Sequence, residues 1–434
     1  MDAGGNIWMG LLGLLPLVIY IILVFRDMEP LPVTVICVLI GAVLTGQNLI
    51  SLGNVLATAM SSFLALVGLI IMLGRGLGEV LSETRVAHTM VHGIMYGIGV
   101  DTEKKAMLGV MLAVLVVVGL LGTMAGGNAI IAPIVIPIAA AVGLSRSTVG
   151  VIFQAVGETA LILGPFTPPV VALMGFTNLN YGEMLLKVAI PITLITLIPT
   201  WFMLQRIQRD TKGTAPYETR EDVGTFKPTA ASQRATRGFV ILFTVAIIYG
   251  ILVKAGTSYV IVVMLGLSLI TGFLGGLNLD RILKLIVKGM AGNVGLFLLF
   301  LLLEPFINFI VEAGGFDALA QLFKPLIAMG GRPAVVILGG LTGAFGISGA
   351  VVGELKTLHE MFLPLLQQYG VSMTAWAVAL VVATRVTNFI YPGANMFSSM
   401  GMAESRDVKS MIRNGVVVAA CQTVFLLAYA LIFA

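Results

Sequence analysis

A succession of apolar runs, each near the length of a membrane-crossing helix, limits this chain more than any other feature. Crossing a hydrocarbon core about 30 Å thick takes roughly 20 mostly apolar helical residues. Runs that qualify lie at 8–25, 31–49, 56–80, 147–177, 185–205, 237–254, 256–276, 285–311, 372–402 and 411–433. Of the 434 residues, 58% are hydrophobic and only 11% are charged, against about 25% charged in an average soluble domain. So few charges could not cover a soluble enzyme, a nucleic-acid binder or a disordered hub. The chain reads as an all-α polytopic membrane protein.

Other motifs subtract rather than add. The first run is expected to be retained as a span, because the residues before it hold an Asp and no Lys or Arg, and no small-residue cleavage site follows. Cys37 and Cys421 both lie in apolar runs, so neither a disulfide framework nor a cysteine metal cluster is expected. His88 and His92 have the i, i+4 spacing of a zinc pair but lack a third ligand. No GxxxxGK[ST] loop offers an ATP motor. Nothing points to an enzyme, and no cofactor is expected beyond Na⁺ as a coupling ion.

Residues 206–236 are polar, hold two Pro and two Gly, and read as a solvated linker that halves the chain. Sliding the second half onto the first by 227 residues aligns the apolar elements without a gap and matches Gly122 with Gly349, Pro137 with Pro364, and Pro165 with Pro392. Two stretches, 106–142 and 333–369, are too long for one span and fall on each other under the same shift. Taken as re-entrant hairpins, they leave five crossings per half and make the halves inverted. Under that topology 19 of the 25 Lys and Arg fall on the linker side. The positive-inside rule then puts the linker in the cytoplasm and both termini outside, in the inner (plasma) membrane. The expected domains are a first repeat over 1–205, the linker 206–236 and a second repeat over 237–434. Stretches 84–100 and 311–327 are amphipathic and are expected to lie along the interface.

Chemistry is expected where backbone is irregular, because lipid tolerates open backbone only around a cavity or inside protein. Spans 147–177 and 372–402 are each broken by proline at equivalent places, at Gly164, Pro165, Phe166, Thr167, Pro168 and Pro169, and at Tyr391, Pro392, Gly393, Ala394 and Asn395. Paired broken helices are a pointer to a transporter's site. Glu158 and Arg385 are related by the same 227 residues and lie just ahead of the two breaks. Their alternative role is a mutual ion pair that fixes packing. The hairpin tips offer Gly126, Gly127 and Asn128 in one half and Ser348, Gly349 and Glu354 in the other. Glu304 interrupts an apolar run, and Lys356, His359 and Glu360 charge the outer arm of the second hairpin, where a water-exposed vestibule face is the plainer account.

The two hairpin sequences, GTMAGGNAIIAP and GAFGISGAVVGE, and the two proline-broken spans, VGETALILGPFTPP and ATRVTNFIYPGANMF, resemble those of the ion transporter superfamily. That group includes dicarboxylate and citrate symporters, gluconate permeases, NhaC-like antiporters and TRAP large subunits. The first tip keeps Thr123 and Asn128 of the usual Ser-Asn-Thr-like signature, separated by glycines, and the second keeps Ser348 without an Asn. The resemblance implies an elevator-type transporter, commonly a homodimer, whose hairpins and broken spans move against a scaffold.

The expected function is secondary active transport of a small carboxylate-bearing solute, an organic acid or amino acid, coupled to Na⁺ or H⁺. The alternative is a Na⁺/H⁺ antiporter without an organic substrate. For the anionic or zwitterionic substrate the candidates are Arg385, Glu158, Asn128, Thr167, Ser348, Glu354, Asn388 and Asn395. For the cation they are Gly126, Gly127, Asn128, Pro165, Thr167, Ser348, Gly349, Pro392 and Asn395. The expected partners are the bilayer and the solute, with no nucleic acid, and a separate solute-binding protein is compatible with the sequence.

Overall fold

The computed structural model describes residues 10–24, 26, 28–214, 216–217, 226–343 and 351–434. It is 84% helical, with no strand among the described residues. Ten of its helices are long and apolar enough to cross a membrane. This is a multi-pass membrane protein.

The first half runs α1 (Leu15–Val24), α2 (Pro30–Leu44), α3 (Leu49–Ala59), α4 (Phe63–Glu83), α5 (Val86–Ile98), α6 (Glu103–Leu121), α7 (Met124–Val142), α8 (Arg146–Leu163), α9 (Pro168–Thr177), α10 (Tyr181–Met184) and, after a π-helical turn, α11 (Ile190–Thr211). The second half runs α12 (Ala230–Leu252), α13 (Tyr259–Leu274), α14 (Leu279–Ala291), α15 (Val294–Glu312), α16 (Gly315–Thr342, kinked at Gly331), α17 (Val351–Tyr369), α18 (Met373–Ile390), α19 (Ala394–Met402) and α20 (Val408–Phe433). The bounds of α17 and α18 are those of α7 and α8 moved by 227.

Several expected spans differ in extent. The runs 56–80 and 285–311 each divide, at Met60–Ser62 and at Gly292–Asn293, into a short helix and a long one. In α14 the residues Ile282, Leu285, Ile286 and Gly289 are buried while Asp280, Arg281, Lys284 and Lys288 face outward, so this helix has the pattern of an interfacial element rather than a span. A hydropathy window blurs such a helix into its apolar neighbour. The polar linker is also shorter than 206–236: α11 carries on to Thr211 and α12 starts at Ala230. Arg413 donates to Asp210 at 2.8 Å, which holds the end of α11 against α20.

α6 and α7 are 19 residues each, about 28 Å long, and meet at Gly122, whose φ of +65° makes the reversal. Each is long enough to cross alone. The corresponding turn between α16 and α17, including Gly346, Ser348 and Gly349, lies outside the described residues. α9 packs on α17 and α19 packs on α7, so the far piece of each interrupted helix rests on an arm from the other half. Between these pieces run α8 and α18, nearly all of whose residues are buried.

Candidate functional site

The first interruption closes on itself. Leu163 ends α8 and Pro168 begins α9, because the prolines supply no N–H to continue the ladder. Two hydroxyls take the carbonyls this releases. Thr167 Oγ1 donates to the carbonyls of Leu161 (2.6 Å) and Gly164 (2.9 Å), and Tyr181 donates its hydroxyl to Leu163 (2.6 Å). Gly164 lies against Gly119, where a Cβ would meet the Gly119 carbonyl oxygen at 2.2 Å. Pro165 borders an apolar cavity of about 350 Å³ walled by Leu120, Phe239 and Phe243. Thr167 therefore secures the broken helix from within, and Pro165 faces an apolar space.

The second interruption draws its partners from the other half. Glu158, fully buried on α8, pairs with Arg385 Nη1 on α18. Its carboxylate also accepts from Asn395 Nδ2 at 3.0 Å and from Asn388 Nδ2 at 3.4 Å. Asn395 stands in the first turn of α19, whose N-terminal end favours a negative charge. One turn back on α8, Gln154 donates to the Asn388 carbonyl (3.0 Å) and accepts from Ser399 Oγ (3.2 Å). Every residue in this network except Asn395 is at most 4% exposed.

The network leaves some groups unpaired. Among the described residues, Arg385 Nε and Nη2 have no hydrogen-bond partner, although the side chain is 1% exposed. Those two N–H groups form one edge of the guanidinium, the geometry that receives a carboxylate in two parallel bonds. Both carboxylate oxygens of Glu354 on α17 are buried and likewise unpartnered. Asn128 donates to the Phe153 carbonyl at 3.3 Å, and its Oδ1 accepts nothing.

The expected residues thus separate. Glu158, Arg385, Asn388 and Asn395 form one network, while Asn128 reaches α8 a turn and more away. Gly127 allows α7 to sit on α6, where a Cβ would meet Val118 Cγ2 at 2.6 Å, and Gly126 packs on Thr123. Both act in helix packing here. Pro392 is exposed at the second break, and Ser348 and Gly349 lie outside the described residues. Gln154 and Ser399 did not emerge from the sequence. The signal for Gln154 was its place four residues before Glu158, on the same face of a helix that is mostly apolar after its first turn.

No protein-family model matches the sequence, and no curated protein does. Solved structures do match. One is the crystal structure of the Alcanivorax borkumensis YdaH transporter, described as having an unusual topology. It covers 93% of this chain and 98% of its own, with a TM-score of 0.65 and 15% identity. The two chains share a fold.

Proposed function

We propose that this protein is a secondary active transporter for a small carboxylate-bearing solute, coupled to Na⁺ or H⁺ and working by alternating access. The observation that carries the proposal is the half-used guanidinium of Arg385. Glu158 neutralises its charge through Nη1, and the Nε–Nη2 edge is buried with no partner. An arginine inside a membrane is functional by default, and a fixed fork suits a carboxylate. Glu354, with two unpartnered oxygens, is the group to take a coupling proton or a substrate amine. The fold shared with a transporter supports the general class. In this proposal the two halves are inverted, the α6–α7 and α16–α17 pairs are hairpins, and the polar linker is cytoplasmic with both termini outside.

The test is a thermal-shift screen of the purified protein against carboxylic acids and amino acids, with and without Na⁺, followed by uptake into proteoliposomes. A carboxylate that stabilises the wild type and is taken up against its gradient supports the proposal. If Na⁺ is the coupling ion, Asn128→Ala should raise the Na⁺ concentration for half-maximal uptake. Cation exchange with no response to any carboxylate would overturn the solute assignment.

A further inference from the structure

α17 carries a second set of ionisable side chains that the network around Arg385 leaves unused. Lys356 Nζ donates to Glu360 Oε1, one turn along the same helix, at 2.7 Å, and lies 3.9 Å from Glu304 Oε1 on α15. The three side chains are only 12%, 22% and 17% exposed. Glu304 is the eleventh of nineteen residues in α15, near its midpoint, and its Oε2 is buried without a partner among the described residues. Fully ionised, the triad holds two negative charges against one positive. Lys356 is closer to Glu360, so Glu304 is the carboxylate left short of compensation, at a depth where a bare charge is costly.

A partly polar cavity lies beyond this triad, toward the far end of α17. Asp317, Gln321 and Lys324 of α16 and Pro364 and Gln368 of α17 border a cavity of about 530 Å³. Pro364 lies one helical turn beyond Glu360 on the same face and has no N–H to give the Glu360 carbonyl, which so lacks its usual helical donor. Pro305 does the same to the Leu301 carbonyl, one turn from Glu304. At the inner end α15 touches α17 at Gly353, next to Glu354, where a Cβ would lie 2.8 Å from Leu303 Cδ1.

We propose that the cavity at Asp317 and Gln368, then Glu360, Lys356 and Glu304, form a proton path toward the turn that carries Glu354, with Glu304 as the buried acceptor. Its use in transport rests on the function proposed above; its ability to hold a proton does not. In that topology the cavity opens to the outside. The carboxylate of Glu304 takes a proton from water that enters by Glu360 and returns it to water, so no co-reactant is needed.

Other titratable groups around the triad are few. On α17 itself, His359 accepts from Trp376 Nε1 at 3.1 Å and stacks on Phe176, and Glu354 is the carboxylate influenced by Arg385 of α18. Against α15, α1 brings Tyr20, whose ring packs on Phe306, α2 brings Cys37, and α3 brings none. Arg75, Glu79 and Glu83 of α4 engage Asn293, Lys288 and Arg281 at the opposite end. From α16 come Asp317 and Lys324, which border the cavity, and Arg332, which donates to the Tyr369 carbonyl. α9 brings no charged group.

The whole purified protein should show an infrared difference band for a buried carboxyl between acid and alkaline buffer. Glu304→Gln should remove it, Glu304→Asp should retain one, and Lys356→Met should keep the band with a displaced midpoint. In proteoliposomes, Glu304→Gln should lose accumulation driven by a pH gradient yet keep solute exchange at equal pH. A Glu304→Gln spectrum that superimposes on the wild type, or full pH-driven accumulation in that variant, would overturn the path. If the wild type moves no solute while the band still depends on Glu304, the transport function fails and the proton site stands. Should Glu304→Gln fail to fold, a displaced midpoint of the band in both Lys356→Met and Glu360→Gln supports the path, and a midpoint unchanged in both overturns it.

Discussion

Arg385→Lys separates recognition from architecture at the central network. Lysine keeps a positive charge for Glu158 but loses the Nε–Nη2 edge, the part of Arg385 that the protein leaves unpaired. A hydrogen bond to a charged group contributes about 1.5–3 kcal/mol, so losing this edge should weaken carboxylate binding about ten- to a hundredfold. Stability should fall by much less, because the pair with Glu158 survives. Removing the charge outright acts differently. Arg385→Met leaves Glu158 buried with only Asn388 and Asn395 as donors, and Glu158→Met strands the guanidinium. Each single change should destabilise by about 3–5 kcal/mol, the range for breaking a buried pair.

The double variant Arg385→Met with Glu158→Met removes both charges and should be less destabilised than the singles would sum to. What it still lacks is the carboxylate acceptor for Asn395, at about 1–3 kcal/mol for a donor left unmade. Thermal unfolding in detergent measures the stability terms, and ligand-induced shifts of the same transition measure carboxylate binding. Stability regained with transport still absent supports the substrate role. Transport regained in the double variant would refute it and leave the pair as packing alone.

Three further outcomes are expected. With Cys421→Ser as background, a cysteine at the exposed Thr214 should resist an impermeant thiol reagent from outside, and one at Ala434 should react; the reverse labelling would defeat the inverted arrangement. Gly164→Ala should destabilise by about 1–3 kcal/mol through overpacking against the Gly119 carbonyl, while Gly266→Ala, with no atom within 4 Å of its Cβ, should not. Burial pushes the Asp407 carboxyl up, but hydrogen bonds from Ser410 and Ser147 outweigh that and hold it below the usual carboxylate range. A depressed carboxyl stabilises the fold above its unfolded value, near about 3.9, and the gain is lost as pH falls through the lower folded value. Asp407→Asn should therefore flatten the acid limb of a Tm-against-pH curve.

Much of this arrangement was legible in residue order, for a physical reason. Proline removes an N–H wherever it stands; with glycine beside it, at Gly164–Pro165 and Pro392–Gly393, the helices end at Leu163 and Ile390, whereas Pro305 and Pro364 leave theirs continuous. An ionisable residue in an apolar helix needs a partner at its own depth, which is why Glu158 and Arg385 could be singled out before their pairing was known. What stayed hidden was which groups the partners spend. That Thr167 turns onto its own helix depends on backbone placed in three dimensions, and so does the use of Gln154 to serve Asn388. Interfacial helices such as α14 were hidden for another reason, since an averaged hydropathy discards the face on which the charges lie.

Equivalent positions in the two halves make different contacts, and the proposed function rests on that difference. The first break meets its needs locally: Thr167 and Tyr181 cap its carbonyls, and Gly164 to Thr167 are buried. The second break has Pro392 where the first has Pro165, but it takes its support from α8 across the molecule, through Gln154 and Glu158. Tyr391 and Pro392 are exposed, and the partnerless edge of Arg385 lies nearly two turns behind them. Two equal sites would have left each break open to half a ligand. In the proposed function, closing one and equipping the other with a guanidinium, two amides and a nearby unpaired carboxylate would concentrate recognition at the second break. On that proposal, a solute held there would touch both halves at once, through α8 and α18, and so would sense any motion of one against the other.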